Sequence, residues 1–319
     1  MANKHLNKGR LFLTLALIVG TIVGADAVRR DYSIQTDSGI TVDGDFRNPA
    51  SPVQDNNNTA LGNTTQPPSQ TGANLSYIGY SEFSIPSAQL SSGMLALIDE
   101  THPADTTANS NFVALADEKN EFYTLRSDDL LITSSAAEAL NAMMADYNSA
   151  TGLSDFIVYS TTQAYTGEDS VCGNYFPESI TGNTVDLAVQ GVNRVLEYDG
   201  MDEEAWIIEN CANYGFVVRY PQGKEASHSK NACVWHLRYV GKVHSAIMAQ
   251  NNLCLEEYLN WIKSYTFDSA PLITQSDGVT YEVYYAASMG DTTAVRIPVS
   301  GNYSISGNNS DGYIITAVK

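Results

Sequence analysis

The sequence predicts an α+β fold with a β-rich tail, and three observations support it. The S-A-A-E motif at Ser135 is a capping box that opens a helix, and Gly152 supplies the helix stop. A second helix is capped by Asp202, ends at Gly215 and leads into short apolar strands. The tail from Thr280 to Val318 alternates apolar and polar residues between Gly- and Asn-rich turns, which is typical of β-hairpins.

Local hydrophobic periodicity predicts the remaining elements. The first helix has an apolar stripe, typical of core packing, made of Leu140, Met143, Met144 and Tyr147. Strands are predicted at Ser76–Phe83, Met94–Ile98, Phe112–Ala116, Glu121–Leu125, Phe156–Ser160, Phe216–Tyr220 and Trp235–Val240. Two further helices are predicted at Lys242–Asn251 and Leu255–Tyr265.

Composition divides the chain into four parts. Basic residues precede the apolar run Leu11–Val23 and a G-A-D-A sequence, which predicts a signal peptide or membrane anchor over 1–28. Residues 29–74 are polar and predict a disordered spacer. We expect a main domain over 75–266, including an N-terminal β subdomain, and a β-module over 267–319. The bulk of the chain is therefore expected outside the cytoplasm, secreted or anchored to the membrane.

The formal net charge of -19 argues against nucleic acid or anionic lipid as a partner, because phosphate binding needs clustered Lys and Arg. Membrane contact is expected only through the N-terminal segment. The four cysteines, Cys172, Cys211, Cys233 and Cys254, form no C-x-x-C pair, which argues against a structural zinc knuckle. In an exported protein they permit two disulfides, and buried free thiols are the alternative.

The most informative stretch lies at 206–241, which begins W-I-I-E-N-C-A-N-Y-G-F-V-V-R-Y-P-Q-G-K-E and ends V-W-H-L-R-Y-V-G. It closely resembles the VanY-type D-alanyl-D-alanine carboxypeptidases, whose pattern is W-L-x-E-N-A-x-x-Y-G-F-I-x-R-Y-P-x-G-K followed by E-P-W-H-x-R-Y-V-G. Upstream, P-E-S-I-T-G-N-T-V-D-L at 177–187 resembles the family's S-E-H-Q-T-G-x-A-x-D-L. The resemblance covers roughly Leu130 to Tyr265. It implies a VanY-like peptidase fold with a central antiparallel sheet and flanking helices.

The resemblance implies the zinc site of that family, in which the ligands are the His of S-x-H, the following Asp and the His of W-H. A fourth position is left for water. The Glu three residues before the last His is the general base. An Arg in an upstream S-G-Y-R strand binds the substrate carboxylate. The substrate is the peptidoglycan stem peptide, from which the terminal D-Ala is released.

Carried over residue by residue, the match is incomplete. Asp186 and His236 stand at two of the zinc-ligand positions, whereas Ser179 replaces the first His. Cys233 stands where the general base should be, and Gln163 or a neighbour stands where the substrate-binding Arg should be. A hydroxyl is a poor neutral zinc ligand, so the sequence predicts weak or absent zinc.

The resemblance also implies that Glu178, Thr181 and Trp235 lie in the substrate-binding region together with Gln163. The scaffold residues of the motif are retained while its catalytic positions are replaced. The sequence therefore predicts a catalytically impaired pseudopeptidase that binds peptidoglycan stem peptide or a cell-wall protein.

Alternatives remain open at the level of sequence. An active zinc carboxypeptidase could use a rebuilt ligand set of Cys233, His236, Asp186 and His228. A Cys233 nucleophile beside His236 is disfavoured, because strand positions three apart point to opposite faces. A Cys172–Cys233 disulfide beside the degenerate motifs would close the former cleft. A third class of function, after the impaired pseudopeptidase and the active carboxypeptidase, is that of a purely structural surface protein.

Overall fold

The computed structural model describes residues 79–104, 112–162 and 176–319. The strands are β1 (Tyr80–Pro86), β2 (Phe112–Ala114), β3 (Thr124–Leu125), β4 (Leu131–Thr133), β5 (Phe156–Ser160), β6 (Thr184–Gly191), β7 (Arg194–Glu197), β8 (Phe216–Tyr220), β9 (Cys233–Tyr239), β10 (Leu272–Ser276), β11 (Val279–Ala287), β12 (Thr292–Pro298), β13 (Tyr303–Gly307) and β14 (Gly312–Val318). The helices are α1 (Leu115–Glu118), α2 (Ser134–Thr151), α3 (Ala205–Asn210), α4 (Glu225–His228), α5 (Lys242–Gln250) and α6 (Leu255–Trp261).

The central sheet has the strand order β3-β5-β6-β9-β8, and β7 pairs with the outer part of β6. All its pairings are antiparallel except the short β3–β5 contact. Helix α2 packs on this sheet with its predicted apolar stripe fully buried. The predicted α+β fold with a central antiparallel sheet is confirmed, and β5 and β8 have the predicted bounds.

Both ends of α2 lie close to the predicted positions, but one of the predicted caps is wrong. The helix begins at Ser134 directly after β4, with Thr133 as N-cap and no side-chain capping bond. Ser135 thus lies inside the first turn, where its hydroxyl no longer faces the free N–H groups that a capping box satisfies. At the other end Gly152 adopts φ 78° and donates its N–H to Asn148, so the predicted stop is confirmed.

The second predicted helix is split into shorter pieces. It opens as a 3-10 turn over Asp202–Glu204, and Asp202 makes no capping bond and has φ 52°. After α3 the chain tightens into another 3-10 turn and ends at Gly215, whose φ of 93° confirms the predicted stop. This left-handed residue reverses the chain into β8.

Residues 94–98 form no strand, which corrects that prediction. The segment is buried without a ladder partner and presents backbone carbonyls to the interior. Arg238 Nη2 donates to the carbonyl oxygens of Met94 (3.2 Å) and Ala96 (3.3 Å). The continuous apolar run at 94–98 thus packs around a buried guanidinium and does not form a pleated strand.

The C-terminal part contains a four-stranded antiparallel sheet in the order β10-β11-β14-β13. The predicted hairpins are present, and β12 pairs instead with β1 from the N-terminal side. The first strand of the predicted N-terminal β subdomain thus pairs with the C-terminal module, while β3 joins the central sheet. The boundaries at 75–266 and 267–319 remain a prediction.

The predicted leader at 1–28 and spacer at 29–74 lie outside the described residues. Within the described ranges, no helix is both long enough and apolar enough to cross a membrane.

Candidate active site

Strand register brings together two of the predicted zinc-ligand residues. Asp186 on β6 lies directly opposite His236 on β9 in the antiparallel ladder. Facing residues of neighbouring strands have close Cβ atoms, so their side chains meet. His236 Nδ1 lies 2.5 Å from Asp186 Oδ1. The imidazole is completely buried, whereas the Asp186 side chain is 16% exposed.

Glu178 approaches the same imidazole from the other side. It lies on the 3-10 turn Pro177–Thr181, immediately before β6, and is completely buried. Its Oε1 lies 3.1 Å from His236 Nε2 and accepts a hydrogen bond from the Tyr220 hydroxyl at 3.0 Å. Its Oε2 accepts from Arg219 Nε at 2.9 Å and from Arg238 Nη1 at 3.1 Å. Four protein groups therefore surround this carboxylate.

The opposite charges of these groups shift one another's pKa values and favour the ionised forms. Burial alone would raise the pKa of Glu178, but Arg219, His236 and Arg238 hold it well below its usual value. Burial alone would lower the pKa of His236, but the carboxylates of Asp186 and Glu178 raise it to about 9. The ring nitrogens of His236 thus lie between two carboxylates, in a fully buried setting.

Aromatic rings fix the faces of the imidazole. The Phe176 ring stacks on His236 with centroids 4.2 Å apart, and the Tyr220 ring stacks at 5.6 Å. Trp235 packs edge-on against Phe176 at 5.4 Å and is itself buried. Stacking restricts tilt of the ring, while the two carboxylates favour one of the two ring orientations related by a 180° turn about Cβ–Cγ.

The other predicted site residues occupy defined positions. Ser179 is buried and donates its backbone N–H to the Phe176 carbonyl. Thr181 Oγ1 donates to the Glu178 carbonyl at 2.8 Å and accepts from the Asn183 N–H, which stabilises the turn. Cys233 is buried in the core opposite Tyr220 of β8.

Their predicted roles stay predictions. Glu178 is held by Arg219, Arg238, Tyr220 and His236, and its place in the substrate-binding region stays a prediction. Gln163 and Cys172 lie outside the described residues, so the predicted Arg replacement and the Cys172–Cys233 disulfide stay predictions.

The described residues do not fit the three-ligand zinc site that the family motif implies. Asp186 and His236 Nδ1 converge, but the third position holds the hydroxyl of Ser179. In the described part of the chain no group of three His, Cys, Asp or Glu side chains could hold a metal ion. His228, considered as a substitute ligand, has Nε2 3.3 Å from the Pro221 carbonyl and Nδ1 accepting from the Lys230 N–H.

Sequence reasoning missed the two arginines as members of the site. Arg219 and Arg238 are almost completely buried on β8 and β9. A signal was present, because both lie in R-Y pairs within apolar strands, and a buried arginine needs an acidic partner. Glu256 on α6 was also missed, although its carboxylate accepts two bonds from Arg219, at 3.0 and 2.7 Å.

Known proteins resemble the chain in fold and in sequence. The D,D-dipeptidase VanXYg, solved with a D-Ala-D-Ala phosphinate analogue, superposes with a TM-score of 0.64 at 24% identity. The match covers 75% of this chain and 99% of that one, which shows a VanY/VanXY-type peptidase fold. Zn(II) is present in a D,D-pentapeptidase VanY structure from a VanB-type cassette, at 20% identity and TM-score 0.41, covering 52% of this chain and 99% of that one.

Sequence similarity identifies the family. The model of the VanY D-alanyl-D-alanine carboxypeptidase family matches residues 178–242. A D-alanyl-D-alanine carboxypeptidase of Enterococcus faecium is 31% identical over 244 residues, 74% of this chain and 78% of that protein. The chain therefore belongs to the D-alanyl-D-alanine carboxypeptidase family.

Proposed function

We propose that the protein is an extracytoplasmic, catalytically impaired member of this family that binds peptidoglycan stem peptides ending in D-alanine or a cell-wall partner. Family membership and the ligand of VanXYg, a D-Ala-D-Ala phosphinate analogue, support the ligand class. The basic and apolar residues before Val23 support an extracytoplasmic location.

One observation carries the proposal of impaired hydrolysis. Of the three motif positions that bind zinc in the family, only Asp186 and His236 carry side chains suited to the metal, and these contact each other directly. The third is the buried hydroxyl of Ser179, and Cys233 replaces the general base. A zinc site needs three protein ligands to hold the metal, and hydrolysis needs a base to take a proton from water.

One feature favours the alternative function, an active zinc carboxypeptidase with an altered ligand set. Glu178 faces Nε2 of His236, which leaves Nδ1 directed at Asp186. A carboxylate behind one ring nitrogen commonly orients the other towards a metal. A ligand outside the described residues would then have to complete the set.

The test uses the purified full chain. Its zinc content is measured after exposure to zinc, and stem pentapeptide is incubated with it and assayed for released D-Ala by mass spectrometry. Calorimetry measures binding of the same peptide, with a peptide lacking both terminal D-Ala residues as control. We expect binding of the pentapeptide, little zinc and little release of D-Ala.

Two outcomes would contradict the proposal. Stoichiometric zinc with turnover of the pentapeptide would establish the active carboxypeptidase. Absence of peptide binding by a folded protein would favour a structural surface role.

A further inference from the structure

We infer that Glu256 and Arg219 are positioning residues, which orient the imidazole of His236 through Glu178. The inference goes beyond the proposed function, because it concerns the orientation of His236 whatever the site binds. It makes the first turn of α6 part of the support of the site, although α6 supplies none of the predicted zinc-ligand, general-base or substrate-binding residues.

The first link between Glu256 and His236 is the guanidinium of Arg219. Its Nε donates to Glu178 at 2.9 Å, while Nη1 and Nη2 donate to the two oxygens of Glu256 at 3.0 and 2.7 Å. A planar fork held by two parallel bonds has a defined direction, which lysine could not provide. Glu256 therefore sets the direction in which Nε points.

The second step is from Glu178 to the imidazole. Its Oε1 faces Nε2 of His236, and the Tyr220 hydroxyl donates to the same oxygen. Because Phe176 stacks on the ring face, His236 keeps a choice between the two orientations that a 180° rotation about Cβ–Cγ interchanges. The position of Glu178 therefore decides that Nε2 faces inward and Nδ1 faces Asp186.

Arg238 supports Glu178 from the opposite side but by different means. Its Nη2 donates to the backbone carbonyls of Met94 and Ala96, and its Nε has no hydrogen-bond partner among the described residues. A guanidinium with one unsatisfied donor is less well held than one bonded through all its sides. Arg219, with its bidentate partner, is thus the better-fixed side of the pair.

Glu256 is suited to a test because its side chain is 18% exposed, whereas Glu178 and Arg219 are completely buried. Glu257, the next residue in the same helical turn, is the matched control. Its carboxylate accepts from Lys224 Nζ at 2.7 Å, from Ser227 Oγ at 2.9 Å and from the Cys254 N–H at 3.1 Å. It loses the same charge on substitution, but its contacts do not lead to His236.

The experiment compares Glu256→Gln and Glu257→Gln in the full chain by NMR of 15N-labelled histidine side chains. The His236 signals are assigned from their loss in His236→Gln. We expect exchange of the His236 Nε2 proton with water to be faster on the order of tenfold in Glu256→Gln, as for one weakened charge-assisted hydrogen bond. In Glu257→Gln the His236 signals should match those of the unmodified chain.

Unchanged His236 signals in a folded Glu256→Gln protein would overturn the inference, and so would an equal change in Glu257→Gln. If Glu256→Gln does not fold, Glu256→Asp keeps the charge but shortens the side chain, and an unchanged His236 spectrum there also overturns it. The readout needs no peptide, so a failure of stem-peptide binding would contradict the proposed function alone.

Discussion

Glu178 depends entirely on protein groups for the stabilisation of its charge, because no part of its side chain contacts water. Removing an ion from water costs several kcal/mol, which only close partners of opposite charge offset. Here two guanidiniums, a hydroxyl and an imidazole supply that compensation. This carboxylate is therefore the centre of a buried charge network that includes His236, one of the predicted zinc-ligand positions.

Glu178→Gln should destabilise the fold by about 3–5 kcal/mol, because it leaves two buried guanidiniums without their shared counter-charge. Urea unfolding at pH 7 measures the change. The control is Glu100→Gln, whose carboxylate pairs with Lys230 but is 78% exposed. Surface pairs contribute little, so the control should unfold at nearly the same urea concentration as the unmodified chain. Equal losses in the two variants would contradict the role given to Glu178.

Placing the family residues at positions 179 and 233 should give the chain zinc binding and peptide hydrolysis. We expect Ser179→His combined with Cys233→Glu to bind zinc and to release D-Ala from stem pentapeptide, because the set then includes a third ligand and a base. Ser179 is buried, so the larger side chain should cost about 1–3 kcal/mol of stability. Metal analysis and mass spectrometry give the two readouts.

Each single substitution and the triple variant with His236→Gln are the controls for this experiment. The triple variant should lose the zinc that the double variant gains. A double variant that folds but binds no zinc would contradict this prediction.

At the scale of elements, the turn at Gly215 places the motif strands. It ends the 3-10 turn Cys211–Tyr214 and starts β8, which carries Arg219 and Tyr220 into the site. A Cβ on Gly215 would lie 2.6 Å from Tyr239 Cε2 and 3.1 Å from the backbone of Gly241. Only glycine accommodates both the left-handed backbone and this close approach.

Gly215→Ala should therefore destabilise the protein more than Gly152→Ala does. Both glycines end helical segments with positive φ, but a Cβ on Gly152 would meet nothing within 4 Å. We expect about 1 kcal/mol for the left-handed backbone at either position, and a further loss at Gly215 from crowding. Thermal unfolding of the two variants in parallel measures the difference. Equal shifts in melting temperature would show that Tyr239 moves aside at no cost.

At the scale of the whole molecule, His244 links three elements. It lies on α5, with Nδ1 2.7 Å from the Tyr258 hydroxyl of α6 and Nε2 3.1 Å from Thr316 Oγ1 of β14. Burial lowers the pKa of His244 to about 4. The C-terminal β-module therefore contacts the helices beside the central sheet through a neutral imidazole.

This histidine should make the fold less stable in acid. Its folded pKa lies below the unfolded value of about 6.5, so its contribution is complete above pH 6.5 and decreases as pH falls towards 4. Between pH 7 and pH 5 the chain should lose about 2 kcal/mol relative to His244→Gln, which has no proton to gain there. Urea unfolding of the two proteins at both pH values provides the comparison, in which other titrating groups cancel. Parallel pH dependence would contradict this role of His244.

Much of the fold was predictable from local sequence, for reasons visible in single elements. The apolar stripe of α2 and the left-handed glycines Gly152 and Gly215 depend on neighbours within a few residues, and the structure confirms them. The predictions at Ser135 and at 94–98 are wrong because contacts from elsewhere decided those segments. The backbone before Ser135 enters α2 directly from β4, and residues 94–98 pack around the Arg238 guanidinium.

The motif residues, read one by one along the chain, predict the family, and they predict that Ser179 replaces a zinc ligand and Cys233 the general base. The fold alone shows that Glu178 lies among Arg219, Arg238, Tyr220 and His236, and that β1 pairs with β12. These contacts join residues 41 to 60 positions apart within the site, and strands at opposite ends of the described chain. Local propensity carries no information on contacts between residues so far apart in sequence. Within the site, these contacts depend on the register of β6 against β9 and on the pairing of buried charges.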